Sequence, residues 1–442
     1  MGKIRQKLTL DIIRMADLRF HTNMPRWYRR VLRMSAWTPS QIMEWQNNAL
    51  RKLLNTAYNH SVYYRELFDS LKIKPSDIRA LEDLKVLPIL TKDIISERFD
   101  DILLDNSEAY HFESGSTGGS SGVPLKYIKD NDSWGFDNAF LIHMWQSTGY
   151  YYGDKYLALG SSSILPENKA SLIHNLFYKL KGKVAFNAMN VSDEVMEKCL
   201  RLVKEKKIHY IYGYASSLYM LAKYVIKHKA QDLVDIRACF PTSEILTDVY
   251  YNTIKAAFNC AILDGYGAHD GGVVGFKLNR DGGFKVGYNS LVEVNSLSQE
   301  DPDFGNILVT DLTNIVFPFI RYDLGDVVRI GHGYNNYHNG QVLEQVVGRN
   351  SDVIELENGN ILTCPGFTIL FKDLHIRGYR FFKLEPMEII VEIVKDNGFD
   401  KKEEGLVIST VKRYAGEDCD VKIVYADNLV RRENGKMFYF EK

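Results

Sequence analysis

The sequence predicts an α/β protein with mixed sheets and a second, smaller unit at its C-terminal end. Three observations carry that expectation. Between Tyr156 and Leu263, short apolar runs alternate with amphipathic stretches, the order expected of strands joined by helices. Beyond residue 282 the character shifts towards antiparallel strands. The chain also has 442 residues, more than one usual core accommodates, so two units, one much larger, are expected.

Taken in order, Ile42, Trp45, Ala49, Leu53 and Ala57 recur on one face and predict a helix over 40–70. Pro88 breaks the segment Leu81–Lys92, and Thr91 can cap a helix that starts at Lys92. A Gly/Ser-rich loop follows, between two candidate strands. Strands are then expected at Tyr156–Leu159, Ile208–Tyr212, Ile236–Phe240 and Ala261–Leu263, with helices at Glu194–Lys206, Ser217–His228 and Thr247–Phe258. The later strands are Gly305–Thr310, Phe319–Tyr322, Val327–Ile330 and Gln345–Val347. The tail adds a strand at Glu388–Ile393, a helix around Lys401–Arg413, a strand at Val421–Tyr425 and the polar stretch Arg431–Lys436. Gly, Arg, Asn and Ser cluster at Gly348–Asp352, which sets the expected units at 1–349 and 350–442.

Composition narrows the function classes. Apolar residues at 45% and charged residues at 25% are ordinary for a globular protein, and a net charge of -1 argues against nucleic acid as a partner. Cys199, Cys239, Cys260, Cys364 and Cys419 are scattered with no Cys-x-x-Cys pair, which suits a reduced cytosol and gives no zinc signature. No apolar run approaches the ~20 residues that span a bilayer, and Arg5, Lys7, Asp11 and Arg14 interrupt any signal-peptide layout. A cytoplasmic location is expected. Up to residue 36, Lys3, Arg5, Lys7, Arg14, Arg19, Arg26, Arg29, Arg30 and Arg33 face only Asp11 and Asp17, interleaved with Trp27 and other apolar residues. Two readings stay open: a helix packed on its own domain with a solvated basic face, or peripheral contact of residues 1–36 with an anionic membrane.

Four loops carry the chemistry. In Thr117–Lys126, Gly118, Gly119 and Gly122 allow close backbone approach to a polyphosphate, while Thr117, Ser120 and Ser121 offer hydroxyls. The pattern is not the Gly-x-x-x-x-Gly-Lys-Ser/Thr phosphate loop, because Lys126 comes after Pro124 and Leu125. Asp264–Asp270 leaves a strand with Gly265, Tyr266 and Gly267, an aromatic for a planar base, and Asp270, an oxygen ligand for a hard cation. Phe319–Asp326 places Arg321 and Asp326 around an expected tight turn, and a carboxylate is a natural acceptor for two ribose hydroxyls. Gly348–Asp352 carries Arg349, and Glu433–Lys436 puts a lysine on a glycine turn.

In this order and spacing the loops resemble the motifs of adenylate-forming enzymes, the acyl-CoA synthetase and adenylation superfamily. Thr117–Pro124 resembles its phosphate-binding motif, Tyr266–Asp270 its Tyr-Gly-x-Thr-Glu motif, and Tyr322–Asp326 its Tyr-Arg-Thr-Gly-Asp motif. Gly348–Asp352 resembles the Gly-Arg-x-Asp-Asp hinge, and Gly435-Lys436 the terminal Gly-Lys. Tyr63–Arg65, Leu81–Lys92 and Tyr212–Ser217 are similar to the phenylacetate–CoA ligase-like branch, and among it to members encoded with capsule and exopolysaccharide genes. The likeness runs through nearly the whole chain. Asp270 stands for the usual Glu, His269 for Thr or Ser, Ser351 for a hinge Asp or Lys, and Lys126 is displaced by one position.

The resemblance implies a large adenylate-forming domain and a small mobile C-terminal α+β lid. It implies ATP as substrate, with Thr117, Gly119, Ser120, Ser121, Gly122 and Lys126 on its phosphates and Mg²⁺ at Asp270. Gly265, Tyr266 and Gly267 would flank adenine, Asp326 and Arg349 would hold ribose, and Lys436 would be the catalytic lysine. His269 is a candidate contact to the substrate. A carboxylic acid would be activated as acyl-AMP and passed to coenzyme A or to an amine on a sugar or polysaccharide precursor. A nucleotide-binding protein that has lost catalysis is the competing reading.

Overall fold

The computed structural model describes residues 2–116, 125–160, 181–187, 193–244, 246–268, 270–280, 282–296, 301–331, 340–346, 353–355, 361–363, 371, 374–385, 387–427 and 440–441. The phosphate-loop residues 117–124, His269, the hinge 347–352 and the terminal 428–439 lie outside them, so the expectations placed on Thr117, Gly119, Ser120, Ser121, Gly122, His269, Arg349 and Lys436 do too.

The helices are α1 (Gly2–Phe20), α2 (Met24–Met34), α3 (Pro39–His60), α4 (Val62–Leu71), α5 (Lys92–Glu97), α6 (Phe99–Ile102), α7 (Asn131–Trp145), α8 (Asp193–Lys206), α9 (Ala215–Lys227), α10 (Asp248–Phe258) and α11 (Lys401–Ala415). A hairpin of β1 (Phe112–Ser116) and β2 (Lys126–Asp130) flanks the Gly/Ser loop. The main sheet uses β3 (Tyr156–Gly160), β4 (Lys183–Asn187), β5 (Tyr210–Tyr214), β6 (Ala238–Thr242), β7 (Ala261–Gly267), β8 (Val274–Leu278), β9 (Phe284–Val286), β10 (Ser290–Ser296), β11 (Phe304–Asp311), β12 (Tyr322–Ile330) and β13 (Val342–Val346). Its order is β10-β11-β12-β13-β9-β8-β7-β6-β5-β3-β4. The stretch β4-β3-β5-β6-β7 is parallel and every pairing from β7 to β10 is antiparallel. The mixed α/β expectation holds, and the antiparallel half begins at β8, before residue 282.

The parallel strands are apolar on both faces, as strands covered by helices on two sides must be. Leu157, Leu159, Ile211, Cys239 and Ile262 pack with Leu218, Leu221 and Ile254 of α9 and α10. The alternate residues Tyr210, Ala238, Phe240 and Leu263 pack with Tyr28 of α2 and with Phe136 and Trp145 of α7. Trp145 stacks on Phe240 with ring centroids 4.1 Å apart. A third core joins α3 and α4 to the antiparallel half, through Leu50, Leu53, Leu54, Tyr64 and Phe68 against Val292, Ile307, Val309 and Val328. The C-terminal β16 (Ile376–Glu385), β17 (Glu388–Lys395), β18 (Asp420–Tyr425) and β19 (Phe440–Glu441) form a separate sheet. Val407 and Val411 of α11 pack on Ile389, Val391 and Ile393 there. Between the two sheets in sequence lies the hairpin of β14 (Val353–Glu355) and β15 (Ile361–Thr363). No helix among the described residues is long and apolar enough to cross a membrane.

Two expectations need correction. The helix over 40–70 is two helices, broken at Ser61 in an extended conformation. Ser61 Oγ accepts from the Tyr64 N–H at 3.4 Å and donates to the Asp101 carbonyl at 2.8 Å, so a distant segment fixes the break. The tight turn expected at Tyr322–Asp326 is the first half of β12. Gly325 at φ +79° and a register shift opposite Asn306 and Leu308 accommodate its irregularity within the sheet. The basic N-terminal segment is helical and packed: α2 buries Met24, Tyr28, Val31 and Met34.

A buried polar cluster fastens β2 to the sheet. Lys129 Nζ, 1% exposed, lies 2.8 Å from Asp137 of α7 and 3.4 Å from Asp311 at the end of β11. Burial alone would push the ammonium down, and the two carboxylates reverse that and leave it above its ordinary value. Asp311 also accepts from Ser133 Oγ at 3.3 Å and from the N–H and hydroxyl of Thr313, both at 2.9 Å. Asn289 donates to Asp137 at 2.9 Å. Lys129→Met should destabilise the protein by about 3–5 kcal/mol, because two buried carboxylates lose their cation. Urea unfolding measures it, and a loss under about 1 kcal/mol would mean that the cluster is hydrated and weak.

Asp130 caps α7 by accepting from the Asp132 N–H at 2.9 Å. Burial raises its carboxyl from 3.8 to about 7, opposed by that cap hydrogen bond. A carboxyl raised on folding takes up a proton between the two values, so its contribution to stability falls as pH rises from about 4 to about 7. Asn caps as well as Asp. Asp130→Asn should therefore stabilise at pH 8 by about 1–3 kcal/mol and be near neutral at about pH 4. Thermal melts at both pH values decide it. A variant less stable at pH 8 would mean that the helix N-terminus outweighs burial.

Candidate active site

Strands β3, β5, β6 and β7 end together at one edge of the sheet, at Gly160, Tyr214, Thr242 and Gly267. In open α/β sheets this is the edge where ligands collect. The residues Gly265, Tyr266 and Gly267 are the last turnless steps of β7 itself. A Cβ on Gly265 would lie 3.2 Å from the Phe276 ring and 3.3 Å from the Pro241 carbonyl, so the strand packs tightly there. After Gly267 the chain reverses at Gly271 and Gly272, with φ of +83° and +68°. A Cβ on Gly272 would fall 1.8 Å from Asp311 Oδ2, so no side chain fits. The reversal is thereby held against the Lys129 cluster, and it sets the position of Asp270.

The two tyrosine motifs are tied crosswise. Tyr266 of β7 donates its hydroxyl to Asp326 Oδ2 of β12 at 2.9 Å. Tyr322 of β12 donates to Asp270 Oδ2 at 2.8 Å. Asp270 and Asp326 are 7% and 9% exposed, so both carboxylates are oriented in a largely dry setting. Tyr127 of β2 lies near enough to Asp270 to feel its charge: burial, then that carboxylate, pushes the phenol up to about 12. The structure thus brings together Tyr266, Asp270 and Asp326. Lys126 starts β2, exposed, with its ammonium 5.0 Å from the Phe99 ring centroid.

Arg321 is committed elsewhere. It adopts φ +53°, pairs with Glu293 at 3.1 Å and donates to the Leu87 carbonyl. A local pairing with Asp326 is therefore not its role. Leu90 and Asp323 complete the joint through backbone hydrogen bonds, Leu90 N–H to the Arg321 carbonyl and Asp323 N–H to the Leu90 carbonyl, both at 3.0 Å.

Two acidic residues at this edge escaped the sequence reading. Asp264 shares the face of β7 with Tyr266 by strand alternation, and burial raises its carboxyl to about 7 against the pull of Lys277 and Arg280. Glu244, just past β6, accepts from the Ser216 N–H at the start of α9 at 2.7 Å. Its Oε1 is buried with no hydrogen-bond partner among the described residues, an acceptor oriented for a donor. A carboxylate two residues beyond an apolar strand was the available signal. No group of three metal-ligating side chains occurs among the described residues.

Protonation of Asp264 near pH 7 would remove a negative charge from this edge, so an anionic ligand held there should bind more tightly at about pH 6 than at about pH 8. Asp264→Asn should flatten that difference in calorimetric titrations. An unchanged slope in the variant would assign the dependence to another group.

No family model matches the chain. It is 23% identical over 366 residues to Protein CapK of Staphylococcus aureus, spanning 82% of this chain and 80% of that one. Among solved structures it resembles 2-hydroxyisobutyryl-CoA ligase with 2-HIB-AMP and CoA in the thioesterification state, with TM-score 0.59 and 15% identity over 91% of this chain and 90% of that one. The postadenylation state of the same ligase with R3-HIB-AMP gives TM-score 0.56 and 15% identity over 92% and 90%. The chain shares the fold of 2-hydroxyisobutyryl-CoA ligase along nearly its whole length.

Proposed function

We propose that the protein is an ATP-dependent ligase that activates a carboxylic acid as acyl-AMP and transfers the acyl group to an amine or a thiol. The observation that carries this reading is the crosswise tie of Tyr266 to Asp326 and of Tyr322 to Asp270. It joins two motifs of the sequence resemblance into one oriented pair of carboxylates beside the strand ends. In the first step a carboxylate oxygen attacks the α-phosphorus and pyrophosphate leaves. In the second an amine or thiolate attacks the acyl carbonyl and AMP leaves. Neither step needs a covalent enzyme intermediate, so the protein's work is alignment and charge compensation.

Asp326 would accept both ribose hydroxyls, with Arg349 beside it, and Tyr266 would line the base. Thr117, Gly119, Ser120, Ser121, Gly122 and Lys126 would surround the outer phosphates. Asp270 would offer Mg²⁺ one oriented, nearly buried carboxylate, an oxygen ligand of the kind a hard cation takes. Bound there, Mg²⁺ would offset phosphate charge. Lys436 would neutralise the attacking oxygen and the α-phosphate on closure of residues 350–442, and His269 would touch the acid. The likeness to ligases encoded with capsule genes favours an amine on a polysaccharide precursor, in the cytoplasm. Coenzyme A is the second reading, favoured by the fold shared with a CoA ligase.

Asp326→Ala should weaken ATP binding at least about tenfold, since hydrogen bonds to a charged acceptor contribute roughly 1.5–3 kcal/mol. Wild-type affinity in a nucleotide titration would leave Asp326 a partner of Tyr266 alone. Lys436→Ala should cut acid-dependent ATP–pyrophosphate exchange by roughly 10²–10³ while ATP affinity stays within a few-fold, because its charge acts on the transition state. Exchange by the wild type over a broad acid panel is the test of the function itself, and acyl-CoA and amide products assayed separately name the acceptor. Absence of exchange with every acid would favour a nucleotide-binding protein without catalysis.

A further inference from the structure

From residue 18 to residue 43 the chain carries Arg19, Arg26, Arg29, Arg30 and Arg33 and no Asp or Glu. The whole chain is at -1, so this stretch is an island of positive charge on an otherwise acidic protein. Four of the arginines lie on α2 at positions i, i+3, i+4 and i+7, one face of the helix. The opposite face is spent, since Met24, Tyr28, Val31 and Met34 are buried in the core with α7. Trp27 and Phe136 lie edge to face at 5.0 Å, and Tyr28 donates to Gln146 at 2.8 Å. The arginine face is therefore held rigidly outward.

Nothing on the protein neutralises it among the described residues. Arg29 and Arg33 reach only carbonyls of their own helix, at 3.3 and 3.4 Å. Arg30 lies over the Trp37 ring at 4.6 Å. Its guanidinium is pushed down by burial and by the neighbouring charges of Arg33 and Arg26, as crowded like charges require. Leu32 on the same helix is 40% exposed. Arg26 and Arg33 are separated by about 10 Å along the helix axis.

We propose that the arginine face of α2 docks the protein on the surface of an anionic lipid bilayer. Charge complementarity selects the partner: an extended sheet of phosphates meets a flat row of guanidiniums, each able to bind two phosphate oxygens. The exposed Leu32 on the same helix suits a headgroup region that admits an apolar side chain at its margin, which a duplex backbone does not offer. With its apolar face already buried, α2 binds by charge and not by insertion, so attachment is reversible and salt-sensitive. The inference does not depend on the catalytic reading.

Vesicle sedimentation of the full chain tests it. The wild type should bind vesicles with roughly 30% phosphatidylglycerol, ignore pure phosphatidylcholine, and be released as salt rises from about 0.1 M to about 0.5 M. The exposed triple variant Arg26→Gln, Arg29→Gln, Arg33→Gln should lower partitioning about a hundredfold, near fivefold per arginine. A charge-matched control, Lys204→Gln, Lys401→Gln, Lys402→Gln, should change it by no more than about threefold. Circular dichroism confirms that both fold. Failure of the wild type to bind, equal binding by the arginine variant, or a stronger affinity for short duplex DNA than for anionic vesicles would each overturn the proposal.

Discussion

The buried ammonium of Lys129 is the constraint on which the site's geometry depends. It holds Asp137 of α7 and Asp311 of β11 about one point, and Asp311 in turn leaves room only for glycine at position 272. That glycine turn sets the course of the chain between β7 and β8, and so where Asp270 meets Tyr322. Such a cluster adds little net stability over an apolar core of the same shape, because desolvation consumes most of the Coulomb gain. Its value lies in register: strand β2, which leaves the Gly/Ser loop, can pair with α7 and β11 in one way.

The crosswise tyrosines extend that registration to β12. Each phenol donates to a carboxylate on the other strand, in surroundings dry enough to strengthen both bonds. An aspartate held this way retains acceptor capacity for a ligand, since a carboxylate has about four lone-pair sites. Orientation fixed before binding reduces the ordering cost at binding. Asp270 is met by Tyr322, whose hydroxyl reaches it from β12 at 2.8 Å.

Local signals were legible in the sequence and long-range ones were not. Thr91 caps α5 as its position suggests, because a cap needs only its own next turn, whereas Thr247, read as the first helical residue, is the cap of α10. Ser61 looks like any helix residue until Asp101 accepts its hydroxyl. Strands β5 and β6 end two residues later than their apolar runs suggest, since pairing and not hydropathy sets a strand's end. Gly325 and its aspartates read as a turn, yet pairing with β11 draws them into β12. The strands β8, β9 and β10 went unread among glycines. Tyr266, Asp270 and Asp326 were singled out from loop composition, while their tyrosine partnerships, 60 and 52 positions apart, belong to the fold. The same holds for Arg321, whose partner Glu293 lies 28 positions away.

The most direct test of the account is a crystal structure with a non-hydrolysable acyl-AMP analogue. The account predicts both ribose hydroxyls within hydrogen-bond distance of Asp326, the base beside Tyr266, and the Tyr322–Asp270 bond intact on the phosphate side. A nucleotide bound away from the β7 and β12 strand ends, or a ribose that leaves Asp326 paired to Tyr266 alone, would contradict it.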